Sequence, residues 1–538
     1  MIRRSLISLA VAAVSLPASA VPFMPMDARG LAMGNTGVAS ANRAHSAHYN
    51  PSLLAQADAE DTFSLLLPQI GFNLADEEEL VDQANSINDN IVPRFEDLFD
   101  DSSSSNFTSA VEDLQASAEQ LANTIESLDG FNPSTQAEAE AKAQELRDDA
   151  QNLSDSLDVV DSQVDEVNTV SRDLTDALDA ISGDPLRARL GIGGALAFTG
   201  HSQIAGAISF NSSINLSGRS FFTENDQNLI NAYGQAASGY IDAVQGVPDG
   251  VLTLADDVEA GTATEAQATQ LQTTVDNVAN YTSDPIEAAG GTFSILDGGQ
   301  LSAAAEDPEL DSYVQVVGIA VSELGVSLAH EFNIDGRRFA VGVTPKMQSI
   351  ETFHFVSEMD SEEDIDEDDF EDSRSSYTHF NLDIGASFYV DDQRKWLVGV
   401  MAKDIIGQSF DLADAPIQGS RTNAVLEGGS LSLSPKIRAG VAYKARRFDV
   451  SADLDLTEND PVAFEKPTQY ASVGAEWRPV RFFQLRGGLR TNLAGDNNVV
   501  SLGAGLSPWG VHMDLAIMSD ISKPEKELGA ALETGFYF

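Results

Sequence analysis

The chain has 538 residues, and its 84 acidic residues outnumber its 31 basic residues by 53 charges. This excess of negative charge argues against binding to nucleic acid or to anionic lipid surfaces, both of which select basic patches. The absence of cysteine excludes disulfides, thiol redox chemistry, cysteine zinc sites and lipid attachment through an N-terminal cysteine.

The first twenty residues have the pattern of a secretory signal peptide. Arg3 and Arg4 precede an apolar stretch over 6–16, and the small residues Ala18 and Ala20 suit signal peptidase. We expect residues 1–20 to be removed, so that the mature chain starts at Val21. No later apolar run reaches the roughly 18 residues of a membrane-spanning helix. The exported protein is therefore expected to be periplasmic, secreted or a barrel in the outer membrane of a Gram-negative bacterium.

The C-terminal segment favours the barrel. Over 528–538 the even positions are largely apolar, the odd positions hold Gly, Ala, Glu and Tyr, and the chain ends on Phe538. A period of two that ends on an aromatic residue is typical of a lipid-facing strand. A half-buried strand of a soluble sandwich shows the same alternation, so the number of such strands must decide.

Fourteen segments qualify as strands, most of them close to the ten or so residues that cross a membrane at a tilt. They are 61–73, 186–199, 202–216, 312–330, 337–355, 376–390, 395–406, 432–444, 447–456, 468–478, 481–492, 498–507, 510–518 and 527–538. Connections after even-numbered segments are short and those after odd-numbered segments are long. The sequence thus predicts an all-β transmembrane barrel of about 14 antiparallel strands over 57–538, with outer-membrane lipid and the barrel-assembly machinery as partners.

The first long connection, 75–185, is predicted to be a helical insertion. Apolar residues recur at spacings of three and four from Val111 to Leu128 and again from Leu146 to Ile181, which predicts an antiparallel coiled-coil hairpin. A shorter helix that begins near Leu80 is expected to end at Pro93, whose missing N–H stops it. We expect this helix to cover the part of the longer arm that the first arm leaves unpaired.

The second long connection, 217–311, is predicted to hold short amphipathic helices separated by the Gly246–Gly250 segment. Both insertions belong to loops on the external side of the barrel.

Acidic residues concentrate in two of the external loops. Residues 76–182 contain 28 acids and four bases, and an acidic loop is predicted over 357–374. The acids are interpreted as a solvated surface, with capture of divalent cations as the alternative. Asp369 stands where a calcium loop needs Gly, and Ser375 where it needs the bidentate Glu, so no metal site is predicted there.

The mature N-terminus, 21–56, is predicted to be a plug within the lumen. Gly30, Gly34 and Gly37 permit tight backbone bends, and the step Asn50-Pro51 favours a turn. These residues resemble the plug of FadL-type outer-membrane transport proteins. His45 and His48 have the spacing of a ligand pair but no third ligand at a defined position, so we predict neither a metal nor another cofactor.

Three C-terminal segments, 469–477, 484–495 and 503–516, resemble the TraF-type family of conjugal transfer proteins. This resemblance implies an outer-membrane barrel distantly similar to FadL-type channels. It also implies either an association with conjugal transfer, with conjugation or secretion components as partners, or passage of small, apolar solutes.

The sequence contains no Gly-x-Ser-x-Gly, Gly-x-x-x-x-Gly-Lys or His-Glu-x-x-His motif, so no enzymatic activity is predicted. The alternative to transport is a scaffold in which the acidic hairpin binds a partner protein and the barrel acts as the anchor.

Strand register predicts charge pairs inside the lumen. If Ala445-Arg446 is a two-residue turn, Arg438 lies opposite Asp453 and Lys436 lies opposite Asp455. The same inner surface is predicted to include Arg486 and Arg490, which alternate with leucines. Such pairs serve either the structure of a polar lumen or contact with a solute.

Overall fold

The computed structural model describes residues 21–56, 63–99, 107–199, 204–289, 291–298, 300–334, 337–359, 373–418 and 424–537. The expected signal peptide, most of the acidic loop over 357–374 and the terminal Phe538 lie outside these residues.

Fourteen strands form the barrel. They are β1 Phe63–Ala75, β2 Pro185–Thr199, β3 Ile204–Phe221, β4 Tyr313–Ile334, β5 Arg337–Glu358, β6 Arg374–Tyr389, β7 Trp396–Lys403, β8 Lys436–Lys444, β9 Phe448–Asp455, β10 Tyr470–Val480, β11 Phe483–Asn492, β12 Asn498–Leu506, β13 Val511–Asp520 and β14 Glu527–Tyr537. Each strand pairs antiparallel with its sequence neighbours. The sheet closes where β1 pairs with β14, from Ser64 opposite Tyr537 to Ala75 opposite Glu527. The predicted closed barrel of 14 antiparallel strands is confirmed.

The two faces of the wall differ as the period of two requires. On β14 the exposed Leu528, Leu532 and Phe536 alternate with the buried Glu527 and Glu533. Apolar side chains on the outside and carboxylates on the inside are the reverse of a soluble barrel, and they fit an outer surface covered by lipid.

Aromatic rings collect at one rim of the outer surface. The Trp396 and Tyr443 ring centroids lie 4.9 Å apart, and those of Tyr443 and Phe448 lie 5.8 Å apart. Trp477, at the end of β10, is 54% exposed. These residues stand at strand ends beside short connections, where an aromatic girdle meets the membrane interface.

The two rims differ in the length of their connections. Residues 390–395, 445–447, 481–482 and 507–510 join consecutive strands at the aromatic rim, whereas the opposite rim carries the long connections 76–184, 222–312 and 404–435. Connections 493–497 and 521–526 of the opposite rim are no longer than 390–395, which departs from the predicted alternation. Residues 200–203 between β2 and β3 and residues 335–336 between β4 and β5 lie outside the described residues. The aromatic rim is called the short-turn rim below.

The sequence predicts that the helix at the start of the first insertion ends at Pro93. In the structure this helix continues past Pro93. It runs as α3 Leu80–Ser86, a π-helical turn Ile87–Ile91 and α4 Val92–Phe99 without interruption. The Val92 N–H donates to the Ile87 carbonyl across the wider π turn. Pro93 follows the π turn closely, and the wider turn accommodates a residue without an N–H inside a continuing helix.

The two arms of the predicted hairpin are α5 Phe107–Glu126 and α6 Gln136–Ile181. Thr135 caps α6 by accepting from the Glu138 N–H, and the Glu138 carboxylate accepts from the Ser134 N–H at 2.7 Å and its hydroxyl at 2.9 Å. The hydrogen bonds from Ser134 lower the pKa of Glu138. The seam from Leu146 to Ser171 is buried, as the heptad predicts.

The second insertion contains α7 Glu224–Val244, α8 Val247–Ala260, α9 Glu265–Ala279 and α10 Ala303–Glu306. The Gly246–Gly250 segment does not separate helices as a loop, because Val247 already begins α8. Pro248 lies in the first turn, where its fixed φ suits a helix and no hydrogen bond is lost.

We expected the helix near Leu80 to cover the remainder of the α6 seam. In the structure, α7 and α8 cover most of it instead. A Cβ atom at Gly234 of α7 would overlap the Asn168 side chain, which shows how closely the two helices approach. Arg94 of α4 adds ion pairs of 2.9 Å each to Glu166 and Asp173 at the side of α6. Helices from both insertions therefore form one bundle whose core closes within a single chain.

At the long-loop rim, short strands outside the barrel wall pack against β4 and β5, the longest strands of the barrel. Phe410 and Leu431 lie in the short strands Gln408–Asp411 and Ser430–Leu433 and pack against Val317 and Ile350. Further short strands are Pro285–Ala288, Gly291–Ser294, Leu296–Asp297, Gln300–Leu301, Ala415–Gln418 and Val425–Leu426.

The bundle core can be tested with two matched substitutions on α6. Val160 is fully buried, whereas the neighbouring Val159 is 52% exposed. Val160→Ala removes two buried methyl groups and leaves a cavity, so we expect it to destabilise the bundle by about 2 kcal/mol. Limited proteolysis of the helices measures this loss. Val159→Ala should match the wild type, and equal effects of the two substitutions would contradict the described packing.

Candidate functional site

The lumen is filled by the mature N-terminus. The plug, residues 22–56, contains α-helical turns at Ala28–Ala32 and Ser46–Tyr49 and a 3₁₀ turn at Pro51–Ala55. Asp27 caps the first turn by accepting from the Gly30 N–H at 2.6 Å. The Tyr49 hydroxyl donates to the other oxygen of Asp27 at 2.5 Å, which ties the two helical turns of the plug together.

The predicted glycines lie where a side chain has no room. Cβ atoms at Gly30 and Gly37 would overlap the Tyr49 ring, which packs between them. Gly34 has a positive φ of 68° and lies against the backbone of Leu489 in β11. Close packing at the first two positions and left-handed backbone at the third require glycine.

Asn50 and Pro51 form the second joint of the plug. The Asn50 amide donates to the Val38 carbonyl at 2.8 Å, and its side-chain oxygen accepts from the Ser52 N–H at 3.1 Å. Pro51 opens the 3₁₀ turn and lies against Gly342 of β5.

Wall glycines receive the plug backbone around the barrel. A Cβ atom at any of these positions would overlap plug atoms: Gly71, Gly191, Gly342, Gly385, Gly399, Gly474 and Gly488. The inner wall is therefore shaped to this plug, because glycine leaves room where another residue would place a side chain.

The six predicted lumen residues are buried inside the barrel, where the basic residues bind acids of the wall and Asp455 accepts from Arg438 and from the Tyr470 N–H at 2.9 Å. Lys436 binds Asp404 at 2.9 Å, and Arg486 binds Glu476 at 2.9 Å and also Asp514.

Three further members of this set contact the plug. Asp453 accepts from the Gly37 and Val38 N–H groups at 2.7 and 3.0 Å. Arg490 donates to the Asn35 side chain at 3.1 Å, and Arg438 donates to the Asn35 carbonyl at 3.3 Å.

The predicted register of β8 and β9 is wrong by two residues. Arg438 lies opposite Asp455, not Asp453, and its Nε donates to Asp455 at 2.5 Å. The connection comprises Ala445, Arg446 and Arg447, and the Ala445 N–H donates to Phe448 at 3.0 Å. A displacement by two preserves the alternation, so every side chain still points to its predicted face. The displacement leaves Asp453 opposite Gly440, where it reaches the plug.

A second charged cluster was missed by sequence reasoning. Lys346 of β5 binds Glu323, Asp383 and Asp404 at 3.0, 2.9 and 2.7 Å, and Lys403 binds Glu323 at 2.8 Å. Their strand positions alternate with apolar residues, so the register argument applied to β4–β7 could have found them.

His45 holds the plug to the wall. Its Nε2 lies 2.9 Å from Glu533 of β14 and 3.6 Å from Asp27, and its Nδ1 lies 2.5 Å from the Asn42 side chain. Glu533 also accepts from the Ala28 N–H at 3.0 Å. We call Asp27, His45 and Glu533 the latch.

The latch is the one group of histidine and acid side chains in the described ranges whose ligand atoms are close enough to hold a metal, within 4.8 Å. Its atoms already have protein partners: Asp27 accepts from Gly30 and Tyr49, and His45 uses both ring nitrogens. This arrangement suits a hydrogen-bonded tie between plug and wall. His48 does not join the group and instead faces a different cavity.

Two cavities lie on opposite sides of the plug. The smaller cavity, about 60 Å³, adjoins residues 21–26. It also adjoins Lys403 and Lys436, at the ends of β7 and β8 nearest the long-loop rim. The larger, about 740 Å³, opens at the short-turn rim and has Ser40 and Asn42 of the plug on its inner wall.

This architecture defines a transmembrane β-barrel plugged by its own N-terminus, with a helical bundle on the long-loop side. The chain matches the family described as "F plasmid transfer operon, TraF, protein" over residues 47–143 and 130–455, and it belongs to that family. No curated protein matches the chain closely enough to count as a relative.

The solved structures to which the chain is similar include hydrocarbon channels and transporters. The TodX deltaS2S3 mutant monoaromatic hydrocarbon channel is 9% identical, with 96% of this chain and 99% of that chain covered and a TM-score of 0.42. The toluene transporters TbuX of Ralstonia pickettii and TodX of P. putida are each 10% identical, with the same coverage and TM-scores of 0.40. The fold assignment rests on the strand pairing of this chain.

Among the helices of the described ranges, none is both long and apolar enough to cross a membrane.

The fit between plug and wall can be tested with adjacent glycines of β11. A methyl group at Gly488 would collide with the backbone of Met33 and Gly34, whereas one at Gly487 would make ordinary contacts of 3.7 Å. Gly488→Ala is expected to weaken plug seating by about 1–3 kcal/mol, the usual cost of overpacking. Planar-bilayer recordings should then show increased conductance. Gly487→Ala is the matched control, and increased conductance in both variants would contradict the described contact.

Proposed function

We propose that this protein is an outer-membrane channel through which small solutes pass when the plug rearranges. The observation that carries the proposal is the plug itself, a buried segment inside a closed barrel with cavities on both sides. The apolar outer surface and the aromatic short-turn rim support location in the outer membrane, with that rim on the periplasmic side.

The contacts between plug and wall are of a kind that can be exchanged. Besides apolar packing, they include hydrogen bonds and ion pairs to a few side chains, notably Asp453, Arg490 and Glu533. Each such bond contributes a modest net free energy, because water or another polar group can replace the partner. A partial rearrangement therefore needs fewer bonds to break than unfolding of the barrel, whose ladder is continuous.

The charged lining bears on the class of solute. FadL-type resemblance favours apolar solutes, whereas the described lumen carries the Lys346 cluster, the Arg438 pair and the Arg486 pairs. Buried charges hold ordered water and disfavour an apolar molecule beside them. We therefore propose polar solutes as the first class to test, with toluene as the apolar comparison.

A disulfide between plug and wall tests whether the plug must move. Val38 Cβ lies 3.2 Å from the position of a Cβ atom at Gly440, near the separation of roughly 3.5–4.5 Å in disulfides. The chain contains no cysteine, so Val38→Cys with Gly440→Cys gives one defined pair. Solute passage into proteoliposomes should fall to background when the pair is oxidised and recover on reduction.

The two single-cysteine variants control for the substitutions themselves and should not respond to oxidant. Equal passage through the oxidised and reduced double variant, with the crosslink verified by mass, would refute plug movement as the gate.

A second candidate function is binding of a partner, such as a conjugation component, to the helical bundle. The observation that favours it is a closed core with an acidic exterior, since Asp155, Asp158 and Asp161 are exposed along α6. A rigid acidic surface fits a partner with a basic surface.

Neutralising these three residues to Asn should lower the on-rate of such a partner and leave solute passage unchanged. Surface plasmon resonance at two salt concentrations, together with the liposome assay, separates the two functions. Unchanged partner binding in the triple variant would exclude this surface.

A further inference from the structure

The cavity at the short-turn rim is basic although the protein is strongly acidic. Eight of the chain's 31 lysines and arginines line it, together with only three of its 84 acidic residues. The net charge of this lining is positive, whereas the net charge of the chain is negative. A concave basic surface between low-dielectric walls concentrates anions from solution.

The acids of the cavity already bind arginines of the wall and of the plug. Glu476 binds Arg29 at 3.2 Å, Arg486 at 2.9 Å and Arg478 at 2.5 Å. Arg478 also binds Asp449 at 2.8 Å. These carboxylates therefore do not pair with Arg394, Lys395 or Arg446.

Three cations at the opening make no ion pair with any part of the chain that the structure describes. Arg394 and Lys395 lie in the connection from β6 to β7, and Arg446 lies in the connection from β8 to β9. The Lys395 N–H donates to Asp391 at 3.0 Å, which holds the first of these turns in place. Short, fixed turns present their charges in a defined arrangement, unlike long mobile loops.

Arg394 has the strongest signs of a dedicated role. It is a non-glycine residue with φ of 56°, a left-handed conformation that costs free energy and is often retained at functional sites. Its guanidinium lies over the Tyr389 ring at 4.8 Å, which fixes its direction. Its Nε is buried and has no hydrogen-bond partner among the described residues. A guanidinium held in this way is prepared to donate to an oxyanion.

We propose that this cavity binds a small anion with two or more negative charges, of the carboxylate or phosphate class. The volume of about 740 Å³ is in the range of sites for small molecules. Leu53 and Leu397 provide apolar surface for a carbon skeleton, and the arginines provide forks for the charged groups. This inference rests on the proposed channel function, because the bound anion would be the solute on its way past the plug.

Calorimetric titration of the full chain in detergent with citrate and with pyrophosphate tests the site. Both probes should bind, more weakly as salt rises. Arg394→Gln and Arg446→Gln should each weaken binding by about tenfold, as expected for loss of one charge-assisted contact. Arg337→Gln is the matched control, because Arg337 begins β5 at the same rim but does not line the cavity.

The two probes distinguish the carboxylate from the phosphate source, since the tighter binder identifies the preferred class. Retention of barrel folding in each variant is checked by heat-dependent gel mobility. Failure of both probes to bind the wild type at millimolar concentration would overturn the inference. Equal losses in Arg394→Gln and Arg337→Gln would overturn it as well, because the charge effect would then be unspecific.

The oxidised Val38→Cys, Gly440→Cys pair separates this inference from the channel proposal. Anion binding should persist in the oxidised form while passage stops, because neither Val38 nor Gly440 lines the cavity. If neither anion binds but oxidation of the cysteine pair still stops solute passage, the anion site alone is refuted. If an anion binds but solute passage is the same with and without the crosslink, the channel proposal alone is refuted.

Discussion

The hydrogen-bond ladder between β1 and β14 is the constraint on which the rest of the molecule depends. A backbone group that faces lipid has no water to replace a missing partner, so a sheet in the membrane must close on itself. Here the first strand after the plug pairs with the last strand of the chain, from Ser64 opposite Tyr537 to Ala75 opposite Glu527. Closure creates an enclosed lumen, and only an enclosed lumen can hold the plug.

The plug and the wall have complementary chemistry at each contact. Where the plug backbone approaches most closely, the wall has glycine, as at Gly474 and Gly488. Where plug N–H groups would otherwise be buried without a partner, the wall supplies a carboxylate, as Asp453 does for Gly37 and Glu533 does for Ala28. Buried donors must be paired, and glycine is the residue that lets the backbone come near enough. The same contacts that seat the plug thus determine how easily it could be released.

Charge is distributed unequally along the barrel axis. The helical bundle on the long-loop side carries many acids on exposed faces, whereas the cavity at the short-turn rim is lined by eight arginines and lysines and three acids. Exposed acids are screened by salt and stay solvated, so they mainly affect encounter with charged partners. Cations inside a narrow mouth are screened much less, and they give this end of the barrel its preference for anions.

The sequence itself determined the number of strands, their inward and outward faces and the helical seams. Apolar residues spaced by two in strands, or by three and four in helices, form a local pattern that is recognisable without the tertiary structure. This is why Leu532 and Glu533 could be assigned to opposite faces, and why Val160 could be assigned to the seam. The register of Arg438 and the continuation of the helix through Pro93 depended on turn geometry, which local patterns do not determine. Only the tertiary structure decided that α7 and α8 complete the α6 seam, and that Arg394 and Arg446 share a cavity with Arg29. These residues are far apart in the chain, and barrel closure alone brings them together.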